Sequence, residues 1–283
     1  YSFENGLIYA FDCGMILCGL MNLWETTGVE LYLDSAARLG NFLVEKMQRP
    51  DGGFFAYYAT SQQRGVDEGH KWSTQTGSYH CKLSLGLIKL GMATGVDKYL
   101  NSAEKVCLKA ISYFKNGRFV TSKKDDSTHL HPHCYTAEGL LYAGYKLNRK
   151  RFLDYAAQAT EWALTLQEAD GGIPFLFYSD GRPAQFQRTD ILSQVLRLGL
   201  LLGGMNLLDK NYRDKLGRLA ARLYEFQNRN KIIHQGGFSF GYDFDGRKIE
   251  HINAWCTMFA IQALSFYENS DYVPKENVIT FLV

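Results

Sequence analysis

The 283-residue sequence predicts an all-α protein built from repeated helical hairpins in two layers. The first observation behind this is a repeat. Tyr32-Leu33-Asp34-Ser35-Ala36, Tyr99-Leu100-Asn101-Ser102-Ala103 and Phe152-Leu153-Asp154-Tyr155-Ala156 open three similar stretches, and Tyr212 and Tyr272 continue the series with a period of about 60 residues. The second is a turn one helix length after each mark. Gln48-Arg49-Pro50-Asp51-Gly52-Gly53-Phe54, Asn116-Gly117-Arg118-Phe119 and Gln167-Glu168-Ala169-Asp170-Gly171-Gly172-Ile173 are followed more loosely by Gln235-Gly236-Gly237-Phe238. The third is an alternation of two helix types, one apolar nearly all round and one amphipathic, which is the pattern of an inner and an outer layer.

The elements follow in order. Residues 7–25 read as an inner helix, with Leu7, Phe11, Leu17, Met21 and Trp24 covering its circumference. Residues 31–48 read as its outer partner, Leu31, Leu39, Leu43 and Met47 opposing Asp34, Arg38, Glu45 and Lys46. The pairs 77–94 with 97–115, 134–147 with 150–167 and 190–205 with 209–227 repeat this, and 253–267 begins a fifth. Short joins (26–29, 94–97, 147–149, 205–209) lie at one end of each pair and long joins (49–75, 116–133, 168–189, 228–252) at the other. The long joins therefore share one face and lead into the inner helices, where function is expected. No linker divides the chain, so residues 1–283 are expected to form a single domain, and the mark at Tyr272 leads to the expectation that the repeat continues beyond the C-terminus.

Composition narrows the function classes. A net charge of +2 with dispersed Lys and Arg gives no case for nucleic acid, and no apolar run reaches the ~18 residues of a membrane span. Six cysteines without a CxxC pair read as buried thiols and point to a cytoplasmic chain. The 18 Tyr and 18 Phe exceed what core filling needs and fit a polar cleft lined with rings. Nothing in the sequence fixes an oligomeric state.

The inner–outer pairs and the Gln-x-x-Asp-Gly-Gly turns resemble the (α/α)-toroid proteins: six-hairpin glycosidases, related polysaccharide lyases and sugar epimerases, and the terpenoid cyclase and prenyltransferase toroids. The resemblance covers nearly the whole chain and implies a toroid of helical hairpins, of which five inner and four complete outer helices are visible, where a closed ring of this family has about six hairpins.

Candidate chemistry gathers where the long joins meet the inner helices. Thr128-His129-Leu130-His131-Pro132-His133-Cys134-Tyr135 precedes Glu138. In an extended stretch its histidines would share one side and could bind a metal, act as an acid/base pair or contact a sugar; equally, Pro132 could start a helix that they pack. A matching carboxylate or cysteine at a familiar spacing is lacking, so no metal and no cofactor is expected. Lys71, Trp72, Gln75, Tyr79 and His80 mix charge, amide and ring groups suited to a sugar or to loop packing. Arg188 is a candidate anion contact, while Thr189 or Asp190 could cap the next helix. Asp245, His251, Asn253 and Trp255 occupy the last join and the helix start after it, and Asp245-Gly246 also reads as a hairpin turn. Asp12, on an apolar helix, needs a partner or carries a raised pKa, as a general acid would. The Asp-Gly-Gly turns read as scaffold.

These residues lead to the expectation of a carbohydrate-active enzyme acting on an oligo- or polysaccharide, with uronic acid units, by hydrolysis, elimination or epimerisation. Asp12, His131, His133, Glu138, Asp190 and Asp245 are the candidate catalytic groups. Lys71, Trp72, Gln75, Tyr79, His80, Tyr135, Arg188, His251, Asn253 and Trp255 are the candidate substrate contacts. The alternatives are a terpenoid cyclase or prenyltransferase toroid, which lacks support from an Asp-x-Asp-Asp motif here, and a non-catalytic glycan- or protein-binding ring.

Overall fold

The elements that carry the hairpins are α1 (Ala10–Thr27) with α2 (Glu30–Phe42), α3 (Ser84–Thr94) with α4 (Asp97–Ile111), α5 (Leu130–Lys146) with α6 (Lys150–Thr165), α7 (Thr189–Gly204) with α8 (Tyr212–Tyr224), and α9 (Ala254–Glu268). The computed structural model describes residues 6–67, 74–209, 211–230, 232–243, 245–269, 279 and 282. Two compact units divide these residues: one runs to Phe114 and includes Glu138–Tyr155 and Leu282, the other comprises Lys115–Ala137 and Ala156–Thr280.

In the first unit α1 packs on α2 and α3, and α3 on α4. Burial follows the two helix types. Leu85 through Gly91 are all buried in α3, whereas α4 buries Tyr99, Ala103, Val106, Cys107 and Ala110 along one stripe. Lys82 and Glu138 pair at 3.2 Å inside this unit, both side chains sealed from solvent. In the second unit α7 packs on α8 and α9, and α8 buries Leu216, Leu219, Ala220 and Leu223. Among the described residues no helix is long and apolar enough to cross a membrane. All six cysteines are buried thiols outside any disulfide.

Several boundaries differ from expectation. Residues 7–9, read as helix, form strand β1 (Leu7–Tyr9), which pairs antiparallel with β2 (Tyr57–Ala59), itself paired with β3 (Arg64–Val66). A continuous apolar run does not separate strand from helix, and here the edge of β2 takes the backbone. A 3₁₀ turn, Ser78–Leu83, precedes α3. The remaining joins contain β4 (Phe114–Lys115), β5 (Arg118–Phe119), β6 (Thr128–His129), β7 (Leu176–Phe177), β8 (Ser239–Tyr242) and β9 (Lys248–Ile252). Helix α5 starts at Leu130, four residues earlier than expected, because Pro132 is tolerated in a first turn that needs no N–H.

The Asp-Gly-Gly turns join consecutive hairpins. Gln48 Nε2 donates to Gly52 O in its own turn at 3.1 Å and to Ser102 O of α4 at 3.0 Å. Gln167 Nε2 does the same, to Gly171 O at 2.9 Å and to Lys215 O of α8 at 2.8 Å. Asp51 and Asp170 accept from the backbone N of Gly53 (3.2 Å) and Gly172 (2.9 Å), and reach Lys109 (3.0 Å) and Arg222 (3.1 Å) on those outer helices. Gly52 and Gly171 both have φ 89°, and a Cβ on Gly171 would sit 2.6 Å from Arg218 O. The backbone bonds Arg49 N to Gly53 O, Glu168 N to Gly172 O and Asn228 N to Gly237 O recur at 2.8, 2.9 and 2.8 Å. Gln227, whose amide reaches Gly236 O at 3.4 Å, therefore holds the place expected of Gln235.

Gly171→Ala forces an L residue into the left-handed region against a neighbouring carbonyl. It should lower unfolding stability in urea by about 2 kcal/mol or more, and Gln167→Ala by ~1 kcal/mol through the loss of two part-buried hydrogen bonds. An unchanged urea midpoint for both would remove the turn's clamping role.

Candidate active site

In the second unit the N-termini of α5, α7 and α9 bring together His131, Tyr135, Arg188, Asp190, Gln194 and Trp255. Three local features fix these ends. Thr128 pairs with Phe177 between β6 and β7, and Leu130 N donates to Phe175 O at 2.9 Å, which sets the start of α5. Arg188, extended at φ −126° and ψ 136°, precedes α7 and bridges to Gly241 of β8. Asn253 caps α9, its Oδ1 accepting from Cys256 N at 3.0 Å.

Asp190 is the centre of the arrangement. It is 1% exposed and binds three donors. Arg188 offers the Nε–Nη2 edge of its guanidinium, at 3.2 and 2.6 Å. His131 Nδ1 lies 2.8 Å from Asp190 Oδ2, and Ile191 N donates to Oδ1 at 3.0 Å. Burial opposes ionisation of this carboxyl, but the His131 and Arg188 charges and hydrogen bonds outweigh it and hold the pKa at about 2. The 2.8 Å contact with the Asp190 carboxylate assigns the imidazole proton to Nδ1. The Gln194 amide donates to Asp190 O at 3.0 Å and lies 2.8 Å from the same ring nitrogen. With Nδ1 so engaged, proton exchange with a bound molecule would run through Nε2.

The rim is aromatic. The Arg188 guanidinium sits over the Phe240 ring at 4.4 Å, and His251 stacks on that ring at 6.0 Å and 17°. Trp255, 40% exposed, donates its indole N–H to Tyr135 Oη at 3.0 Å. Burial, and then the nearby Arg188 charge, hold the half-buried His129 below the usual imidazole range.

Other candidates are placed elsewhere. His133 does not share a side with His131: in a helix, residues two apart point in nearly opposite directions. Its Nδ1 accepts from Phe119 N at 3.2 Å and its Nε2 bonds Ala159 O at 3.1 Å. Burial above all lowers its pKa to about 4, and both ring nitrogens are engaged by backbone groups. Among the described residues no three His, Cys, Asp or Glu are grouped to hold a metal ion. Asp245 is exposed in the β8–β9 turn, its N–H donating to Asp243 Oδ1 at 2.9 Å, as the hairpin reading anticipates. Asn253 is committed to its cap. Glu138 is sealed against Lys82 in the first unit.

The first unit also holds Asp12, Gln75, Tyr79 and His80. Asp12 is half-buried in the first turn of α1, not enclosed as its apolar neighbours implied. Tyr79 donates to Gln75 O at 2.7 Å, its ring 4.4 Å from His80, and burial first, then the Asp12 charge, push its phenol upward. Lys71 and Trp72 lie outside the described residues. Two contributors were not singled out as site residues from sequence. Gln194 stands one helical turn after Asp190, so the 3.6-residue period could have placed it on the same face. Phe240 carried no signal beyond its position in a strand.

No family model matches the chain, and no curated protein matches it in sequence. Solved structures do match in three dimensions. A D-mannose isomerase superposes with a TM-score of 0.76 at 13% identity, over 94% of this chain and 72% of that one. A cellobiose 2-epimerase from Bacillus thermoamylovorans gives 0.75 at 12% identity, over 99% and 74%. An unsaturated glucuronyl hydrolase from a Bacillus species gives 0.70 at 15% identity, over 92% and 74%. The fold of this chain is thus the α/α toroid.

Asp190 has a folded-state pKa below its unfolded value of ~3.9, so its stabilisation is present above that pH and is lost as pH falls through about 2. Asp190→Asn should cost about 2–3 kcal/mol at pH 7, and the gap to the parent protein should close between about pH 4 and pH 2 in urea titrations. A gap independent of pH would mean that the carboxylate is not held by these cations.

Proposed function

We propose that the protein is a carbohydrate-active enzyme that moves a proton on a sugar, as an isomerase or epimerase does, with His131 as the group that carries the proton. The observation that carries this reading is the His131 imidazole held 2.8 Å from an ionised, buried Asp190, beside the half-exposed Trp255. The carboxylate orients the ring and stabilises the imidazolium formed when His131 accepts a proton. On an open-chain aldose, His131 would take the proton from the carbon beside the carbonyl, giving an enediolate. Return of the proton from His131 to that carbon, after the enediolate has turned its other face to the imidazole, epimerises the sugar; return to the former carbonyl carbon, with the hydroxyl proton of the neighbouring carbon passing to the former carbonyl oxygen, isomerises it. Trp255 supplies an apolar platform for the C–H face of the ring.

The fold shared with a D-mannose isomerase and a cellobiose 2-epimerase supports this choice. Hydrolysis ordinarily requires two carboxylates flanking the bond; here Asp190 is occupied by three donors and Asp245 by a turn. The Arg188 edge that would pair with a uronic carboxylate is already spent on Asp190, so the reading is of a neutral sugar rather than the uronic one that sequence suggests. The polar inner-helix ends argue against an apolar terpenoid cleft. Six buried thiols outside any disulfide support a cytoplasmic location.

His131→Asn should lower kcat on mannose or cellobiose by ~10²-fold or more, and should also lower the unfolding midpoint because Asp190 loses one of its donors. Wild-type protein that turns over neither sugar, or a His131→Asn variant of unchanged kcat, would overturn the proposal.

A further inference from the structure

We infer that Tyr135 is a positioning residue that ties the sugar platform to the proton-carrying histidine, and is not itself a substrate contact. The inference rests on the proposed reaction for its kinetic consequences but on geometry for its substance. Tyr135 is 1% exposed, so a sugar in the site does not reach it. Its hydroxyl accepts the indole N–H of Trp255 at 3.0 Å, and its ring meets the His131 imidazole edge-on at 4.4 Å and 65°. Phe259 closes the same group, 5.3 Å from the Trp255 ring and 6.3 Å from Tyr135. One buried phenol on α5 therefore touches both the exposed platform on α9 and the imidazole on its own helix.

The two contacts are separable. The hydroxyl governs Trp255: without an acceptor, the half-exposed indole loses its fixed orientation and with it part of the stacking area offered to a sugar. The ring governs His131: packed edge-on against the imidazole, it restricts rotation that would break the 2.8 Å contact. Tyr135→Phe then affects binding, and Tyr135→Leu affects binding and proton transfer together.

The test combines kinetics with the ¹H–¹⁵N spectrum of the four indoles of the full chain, with cellobiose and mannose as probes. Tyr135→Phe should move the Trp255 indole N–H resonance upfield and weaken sugar binding about five-fold, with kcat and its pH profile held within two-fold. Trp255→Phe, which leaves the buried site intact, should weaken binding at least as much, and the double variant should bind no worse than Trp255→Phe alone. Tyr135→Leu should lower kcat at least ten-fold. The inference is overturned if Tyr135→Phe leaves the Trp255 resonance and the affinity unmoved, lowers kcat at unchanged affinity, or adds fully to Trp255→Phe. Sugar that shifts the Trp255 resonance without any turnover supports the coupling and sinks only the proposed reaction; turnover with an insensitive Trp255 resonance sinks the coupling.

Discussion

The Gln167 amide donates at once to Gly171 O in its own turn and to Lys215 O of the following outer helix, and the placement of the second unit's site depends on that bond pair. One side chain satisfies two backbone carbonyls that belong to different hairpins. It therefore closes the turn and docks it in the same step. Asp170 extends the joint: Gln187 Nε2 donates to it at 3.0 and 2.9 Å, and Arg222 Nε donates to Gln187 Oε1 at 2.9 Å. Gln187 directly precedes Arg188. The recognisable turn is scaffold, yet it fixes the residue next to the guanidinium that holds Asp190.

From there the constraint is electrostatic. A carboxylate this buried persists as an anion only because Arg188, His131 and a backbone N–H compensate its lost hydration. Arg188 and Ile191 flank Asp190 at the start of α7 and His131 comes from the start of α5, so the ionised Asp190 both requires and enforces the alignment of these two helix starts. The same demand orients His131. Its Nδ1 is committed to the carboxylate, and its plane is bounded by Tyr135. Structural and chemical roles thus converge on one buried charge. The first unit uses the same turn, with Gln48 and Asp51, but its buried pair Lys82–Glu138 is enclosed entirely by protein.

Much of the fold was legible because burial on two kinds of helix writes two kinds of pattern. The apolar inner helices, amphipathic outer helices and turns fell within a few residues of their observed places, and the toroid class followed from them. Residues 7–9 were not legible as a strand, since an apolar run looks alike in a strand and a buried helix. The start of α5 was hidden by His131-Pro132-His133, whose alternation reads as extended until the helix rotates the two rings apart. The candidate residues were legible by type but not by pairing. His131 lies 63 residues from Gln194, and Tyr135 lies 120 from Trp255. Asp190, Asp245 and Glu138 are equal as letters; three donors, a surface turn and a sealed lysine tell them apart.

The central claim is that the carboxylate-held His131 exchanges a proton with a carbon of a sugar. The direct measurement is the ¹H spectrum of mannose or cellobiose incubated with the enzyme in D₂O. The account predicts loss of the C2 proton signal of the reducing sugar as deuterium enters from solvent, through wild type and not through His131→Asn. Retention of that proton while a glycosidic bond is cleaved would contradict it.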